Sequence, residues 1–188
     1  MKWTFTTGDF VRIALFAAII AALGVLPLWV SPPFLGGVPI SIQSLGVMLA
    51  GVVIGARLGF FSVLLLMFVV LLGAPVLSGG RGGLGVLYGP TAGFFIGWLP
   101  AVLTVGWLNR VLPVTNAMVR AIIASIVGGI IVLYMCGIPM MSWRTGLSFD
   151  KTFFAMLAFI PLDVVKAVAV GYIAQTLQRW ETPKDEEV

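Results

Sequence analysis

Asp163 and Lys166 lie three positions apart in Phe159-Ile160-Pro161-Leu162-Asp163-Val164-Val165-Lys166, the only acid and base deep inside an otherwise apolar run. On a helix that spacing puts both side chains on one face and within reach of each other. A lone charge at the centre of a bilayer costs about 3 kcal/mol by insertion scales. If the pair served only to neutralise itself, two packed apolar residues would stabilise the bundle more. Its expected work is therefore to hold a small polar ligand. Pro161 contributes no N–H, which frees a carbonyl just before the pair.

Three further features carry possible chemistry. The loop Gly73-Ala74-Pro75-Val76-Leu77-Ser78-Gly79-Gly80-Arg81-Gly82-Gly83-Leu84-Gly85 is dense in glycine, which lets backbone fold tightly and bring amides against a ligand. It is either such a cradle or a flexible outer loop. Arg81 within it is either a solvated charge or a clamp for an anionic group. No Gly-Lys-Ser/Thr is present, so the loop does not bind nucleotide. Ser41 and Gln43 sit at the mouth of a predicted helix in Val38-Pro39-Ile40-Ser41-Ile42-Gln43, where Gln43 offers both donor and acceptor. Ala14, Ala18 and Ala22, with Ala17 and Ala21 beside them, form stripes of small residues at spacing four, a pattern that admits a close-packed helix. Spacing leaves open whether that helix belongs to this chain or to a partner.

The elements that must position these groups follow from composition. Of 188 residues, 60% are hydrophobic and 10% charged, and the mean hydropathy is +1.12. A globule of this size cannot hide so much apolar surface, so lipid must cover it. Six apolar stretches are expected to cross the membrane, at about 10–30, 40–56, 58–72, 86–108, 115–137 and 152–177, followed by a frayed polar tail from Gln178. They make one all-α bundle, with no linker and no room for an attached ATPase. The first helix follows no cleavage pattern and is read as retained.

Charge sets the orientation. Lys2, Arg12, Arg57, Arg110, Arg120, Arg179 and Lys184 fall on one side, and Arg81, Arg144 and Lys151 on the other, which places both termini in the cytoplasm. Other classes recede on the same composition. The chain has no histidine and one cysteine, Cys136, so neither a histidine metal site, nor a Ser-His or Cys-His nucleophile, nor an internal disulfide is expected. No second carboxylate in a span supports enzyme chemistry, no ring of charges lines a pore, and the scattered basic residues do not suit nucleic acid. No metal or cofactor is expected.

Taken together, these segments resemble the BioY family, the biotin-specific substrate-binding (S) components of energy-coupling factor transporters. The resemblance rests on Val38-Pro39-Ile40-Ser41-Ile42-Gln43, on Gly73-Ala74-Pro75 leading into the glycine loop, on Leu84-Gly85-Val86-Leu87-Tyr88-Gly89-Pro90-Thr91-Ala92-Gly93, and on Pro161-Leu162-Asp163-Val164-Val165-Lys166. The usual Gly-Pro-Thr-Gly-Gly reads Gly89-Pro90-Thr91-Ala92-Gly93 here, and Leu77 stands where many relatives carry an aromatic. The resemblance implies a six-helix multi-pass protein of a prokaryotic cell membrane that binds biotin near its outer face. Its biotin site would draw on Asp163, Lys166, Gln43, Ser41, Gly79, Gly80, Arg81 and Tyr88. It further implies a membrane coupling protein and two cytoplasmic ATPase subunits as partners, with Ala14, Ala18 and Ala22 as the docking stripe. A sister component for another vitamin is the competing expectation.

Overall fold

Large apolar side chains face outward all around the molecule: Phe10, Phe68, Trp107, Met135, Phe154 and Val165 are each more than half exposed. In water such a surface would drive aggregation; against acyl chains it is the expected exterior. The computed structural model describes residues 5–26 and 41–181, the last two as backbone. Lys2, the end of the first predicted stretch, Val38 to Ile40 and Lys184 lie outside the described residues.

Among the described residues every regular element is helical, apart from one bridge between Leu77 and Arg81. α1 spans Thr7–Val25 and α2 Gln43–Leu71. A 3-10 turn at Leu84–Leu87 leads into α3, Ala92–Val111. α4 (Ala117–Ile126) runs through a π turn, Val127–Val132, into α5 (Leu133–Thr145). α6 spans Phe149–Leu157 and α7 Ile160–Glu181. Among the described residues five helices are long and apolar enough to cross a membrane: α1, α2, α3, the continuous α4–α5 rod and α7. Local sequence sets their ends. Thr6 and Asp9 form a reciprocal capping box that starts α1. Asn116 accepts the Val119 N–H to start α4, and Gly146, at φ 70°, closes α5 in the left-handed conformation.

The second and third predicted stretches form one element, α2, with a sharp kink. At Gly55 φ is 78° and ψ is 173°, a backbone conformation open to glycine. A straight helix of 29 residues would be about 43 Å long. Yet Gln43, at its first turn, bonds Val76 and Ser78 just beyond its last. The chain therefore doubles back at Gly55, two residues before the Arg57 boundary read from sequence, and the arms 43–54 and 56–71 lie side by side.

The last predicted stretch, 152–177, is broken: α6 ends at Leu157 and α7 begins at Ile160. Pro161 falls in the first turn of α7, where its missing N–H would have had no intrahelical partner, so it removes no helical bond. Asp163 N–H donates instead to Phe159 O at 3.0 Å. Gln178 to Glu181, expected to fray, continue α7.

The bundle has two distinct poles. At one, the Phe5 ring meets Phe61 at 5.1 Å, the Arg57 guanidinium lies over Phe5, Gly106 packs on Ala56 at the kink, and the start of α4 meets the end of α7. Both ends of the described chain are here. The other pole gathers the start of α2, the glycine loop, and the α6–α7 break around a cavity. Between the poles the interior is mostly apolar: Met48, Ile130, Ala167 and Val170 pack below the cavity.

Candidate ligand-binding site

The cavity is built from pieces of five helices and the glycine loop. The start of α2 gives Ser41, Gln43 and Ser44; the glycine loop gives Leu77, Ser78 and Arg81. α3 with its approach gives Thr91, Phe94, Phe95 and Trp98; α5 gives Leu133 and Tyr134. Met156 and Phe159 of α6 and the break close one side, and Asp163 and Lys166 of α7 complete it. About 120 Å³ of this space is open to the centre of a water molecule, several times the roughly 10–15 Å³ that one water needs.

Its polar heart is the predicted pair. Asp163 and Lys166 are 6% and 5% exposed, and Lys166 Nζ meets Asp163 Oδ1 at 2.7 Å. Lys166 also donates to Ser41 O at 2.6 Å and to Ser44 Oγ at 3.1 Å, so all three ammonium protons have acceptors. The Tyr134 hydroxyl donates to Asp163 Oδ2 at 2.6 Å. Two of the carboxylate's four or so lone-pair sites are thereby taken. The first turn of α7 adds its own N-terminal dipole in favour of the carboxylate. The π turn matters here, because an extra residue per turn rotates everything after it about the helix axis. It sets the angle at which Leu133 and Tyr134 enter the cavity.

Arg81 lines the same cavity. Its Nε donates to Ser78 O and its Nη1 to Thr91 Oγ1, each at 3.0 Å. Burial lowers its pKa, but a guanidinium remains charged in a protein. Leu77 and Arg81 exchange backbone hydrogen bonds around a tight turn in which Gly79 and Gly80 both have positive φ. Aromatic rings line the same cavity: Phe94 meets Tyr134 edge-on at 5.8 Å and Phe95 meets Trp98 at 5.6 Å. A positive group, a hydrogen-bonding cluster and aromatic walls in one cavity suit a ligand that is anionic at one end and amide-like at the other.

A family model described as BioY matches residues 1–182. The chain belongs to the BioY family. Among BioY proteins, the biotin transporter BioY of Rhizobium etli is 46% identical over 179 residues, covering 92% of this chain and 94% of the relative. That of Rhodobacter capsulatus, named likewise, is 44% identical over 178 residues, covering 89% and 92%. The solved structure of the S-component for biotin from an ECF-type ABC transporter superposes with a TM-score of 0.80 at 28% identity, covering 94% of this chain and 95% of that one. The chain is thus a multi-pass, all-helical BioY protein with the S-component fold.

The BioY structure brings together Ser41, Gln43, Arg81, Asp163 and Lys166 from the sequence reading. It does not bring Gly79, Gly80 or Tyr88 to the cavity. The two glycines are exposed at the turn that delivers Arg81. Tyr88 is 72% exposed, with the Arg144 guanidinium 5.7 Å from its ring. Sequence reasoning missed Tyr134, Ser44, Ser78, Thr91 and the aromatic wall. Tyr134 had one available signal, as a polar ring in the midst of Val132-Leu133-Tyr134-Met135. Along α1, Ala14, Ala18 and Ala22 are exposed, while Ala17 is buried and Ala21 half-buried, so the first stripe faces outward and the second turns toward the bundle. Among the described residues no group of histidine, cysteine, aspartate or glutamate is placed to hold a metal.

Proposed function

We propose that this chain captures biotin for an ATP-driven importer, holding the vitamin in the cavity between Asp163 and Arg81. The observation that carries the reading is the placing of the Asp163–Lys166–Tyr134 cluster and the Arg81 guanidinium in one aromatic cavity. Biotin has a ureido ring with two N–H donors and a carbonyl, an apolar thioether ring, and a carboxylate on a short chain. Asp163 accepts the ureido N–H groups on its free lone pairs. The ureido oxygen takes a proton of Lys166 in exchange for Ser44. The rings lie against Phe94, Trp98 and Phe159, and the carboxylate meets Arg81 in a charge-assisted bond. The names of the relatives support biotin over a sister vitamin.

Mass spectrometry of small molecules released from the detergent-purified protein is expected to find biotin. Thiamine, riboflavin or no ligand in that fraction would sink the biotin reading.

In this reading the chain crosses a prokaryotic cell membrane six times, the two arms of α2 counting separately, with both termini in the cytoplasm. Support comes from the poles: Arg12, Arg57, Arg110, Arg120 and Arg179 lie toward the kink, against Arg81, Arg144 and Lys151 toward the cavity. Five against three favours a cytoplasmic kink and an outward-facing cavity. A membrane coupling protein docks on the outward stripe Ala14, Ala18 and Ala22, and two cytoplasmic ATPase subunits supply the energy. Ala18→Trp should leave biotin binding by the solubilised chain intact while abolishing ATP-driven uptake in vesicles reconstituted with the partner subunits. Undiminished uptake would remove α1 as the docking helix.

A further inference from the structure

Gln43 lines the cavity, yet its amide has nothing left to offer a ligand. Nε2 donates to Ile20 O of α1 at 3.3 Å and to Val76 O of the glycine loop at 3.0 Å. Oε1 accepts the Ser78 N–H and faces Ser78 Oγ, each at 3.1 Å. A primary amide has two donors and two acceptor sites, and all four are in use. The residue is 2% exposed, so giving up any one of these bonds would strand a buried polar group at about 1–3 kcal/mol.

The bonds form a relay with a direction. Ser78, held at both its N–H and its hydroxyl, presents its carbonyl to Arg81 Nε. Arg81 is thus aimed by Ser78, and Ser78 by Gln43. On its other side Gln43 is tied to α1, and the fit there is tight. A Cβ placed on Gly24 would collide with Val76 O and the Gln43 side-chain nitrogen. Gly24 is the point where α1 passes close enough for one amide to bridge it to the loop.

We infer that Gln43 is a positioning residue: it latches the hairpin 76–81 to α1, so the seating of Arg81 in the cavity depends on where α1 stands. The inference rests on the reading of Arg81 as the partner of biotin's carboxylate. It adds a connection from the ligand to the helix whose far face carries Ala14, Ala18 and Ala22, since both faces move with one rigid helix. A shift of α1 strains the Ile20 bond first, then weakens the hold of Gln43 on Ser78, which keeps its contact with Ser41, and so lets Arg81 shift about its remaining bond to Thr91.

The test uses the full chain in detergent and two probes, biotin and biotinol, in which an alcohol replaces the carboxylate. Wild-type protein should bind biotin at least tenfold more tightly than biotinol. Gly24→Ala, on a residue that lines no cavity, should weaken biotin at least tenfold and biotinol by less than threefold. In an Arg81→Met background the same substitution should cost biotin less than a further twofold, because residues acting through one another are not additive. Gln43→Met, similar in length but unable to make the four bonds, should show the same non-additivity with Arg81→Met. It decides the matter if Gly24→Ala fails to fold. Equal losses for both probes, or losses that add fully to that of Arg81→Met, would overturn the latch while leaving the clamp intact. Equal affinity of wild-type protein for the two probes would overturn the clamp itself, and the latch with it.

Discussion

Asp163→Ala is expected to lower biotin affinity by roughly a hundredfold or more and to destabilise the empty protein as well. The first effect follows from the two charge-assisted hydrogen bonds proposed to the ureido N–H groups, at about 1.5–3 kcal/mol each, with every 1.4 kcal/mol a factor of ten. The second follows from what stays behind. Lys166 would keep an ammonium that is 5% exposed with its only carboxylate removed, and breaking a buried pair in this way costs about 3–5 kcal/mol. The Tyr134 hydroxyl would lose its acceptor too.

The two effects can be separated. Replacing both partners, Asp163→Leu with Lys166→Met, removes the stranded charge, so the melting temperature in detergent should recover while binding does not. Isothermal titration with biotin reads the one and thermal unfolding the other. Wild-type affinity in Asp163→Ala would show that the pair is structural, with the ligand held elsewhere.

Gly55→Val should be the most damaging substitution away from the cavity. At φ 78° and ψ 173° a β-branched side chain meets its own backbone, and forced strain of this kind costs about 1–3 kcal/mol per residue. The neighbouring contact leaves little room for relief, since Gly106 packs directly on the backbone of Ala56. Opening the angle at Gly55 would also splay the arms of α2 and draw Gln43 away from Ser78. Thermal unfolding in detergent should therefore fall steeply for Gly55→Val and less for Gly55→Ala, and biotin affinity should fall in the same order. If both variants melt with the wild type, the kink is not what folds α2 back on itself.

The parts of this fold that were legible in the sequence share one cause. A bilayer demands long apolar segments, and hydropathy measures that demand directly, so each spanning helix could be found, although the predicted ends miss by as many as eight residues. Hydropathy is blind to direction within an apolar run. The break at Ala158 and Phe159 is as apolar as the helices beside it, and only Pro161 marked it. Likewise Arg57 drew the boundary in α2 because it is charged, although the backbone turns at Gly55, where charge plays no part.

The candidate site divides along the same line. Asp163 and Lys166 stood out because an ionised residue in a span needs a reason. Tyr134 counts as nearly apolar in such a reading and passed unnoticed, though its hydroxyl completes the cluster. The glycine loop misled in a different way. Its composition allowed a cradle of amides or a flexible outer loop, whereas Gly79 and Gly80 make the turn from which Arg81 reaches the cavity. Loops have no periodicity from which to read which residues point where, so Tyr88 could not be told from Arg81 as an inward group.

The charges that line the cavity are Arg81, Lys166 and Asp163, one more positive than negative. A bound carboxylate brings that sum to zero. Moving one elementary charge through a voltage of 100 mV involves about 2.3 kcal/mol, so the empty cavity feels the cell's resting potential and the occupied one does not. Over a full cycle the net charge carried inward would then be that of the biotin carboxylate, which an inside-negative voltage opposes, so accumulation would have to be driven by ATP and not by the membrane voltage.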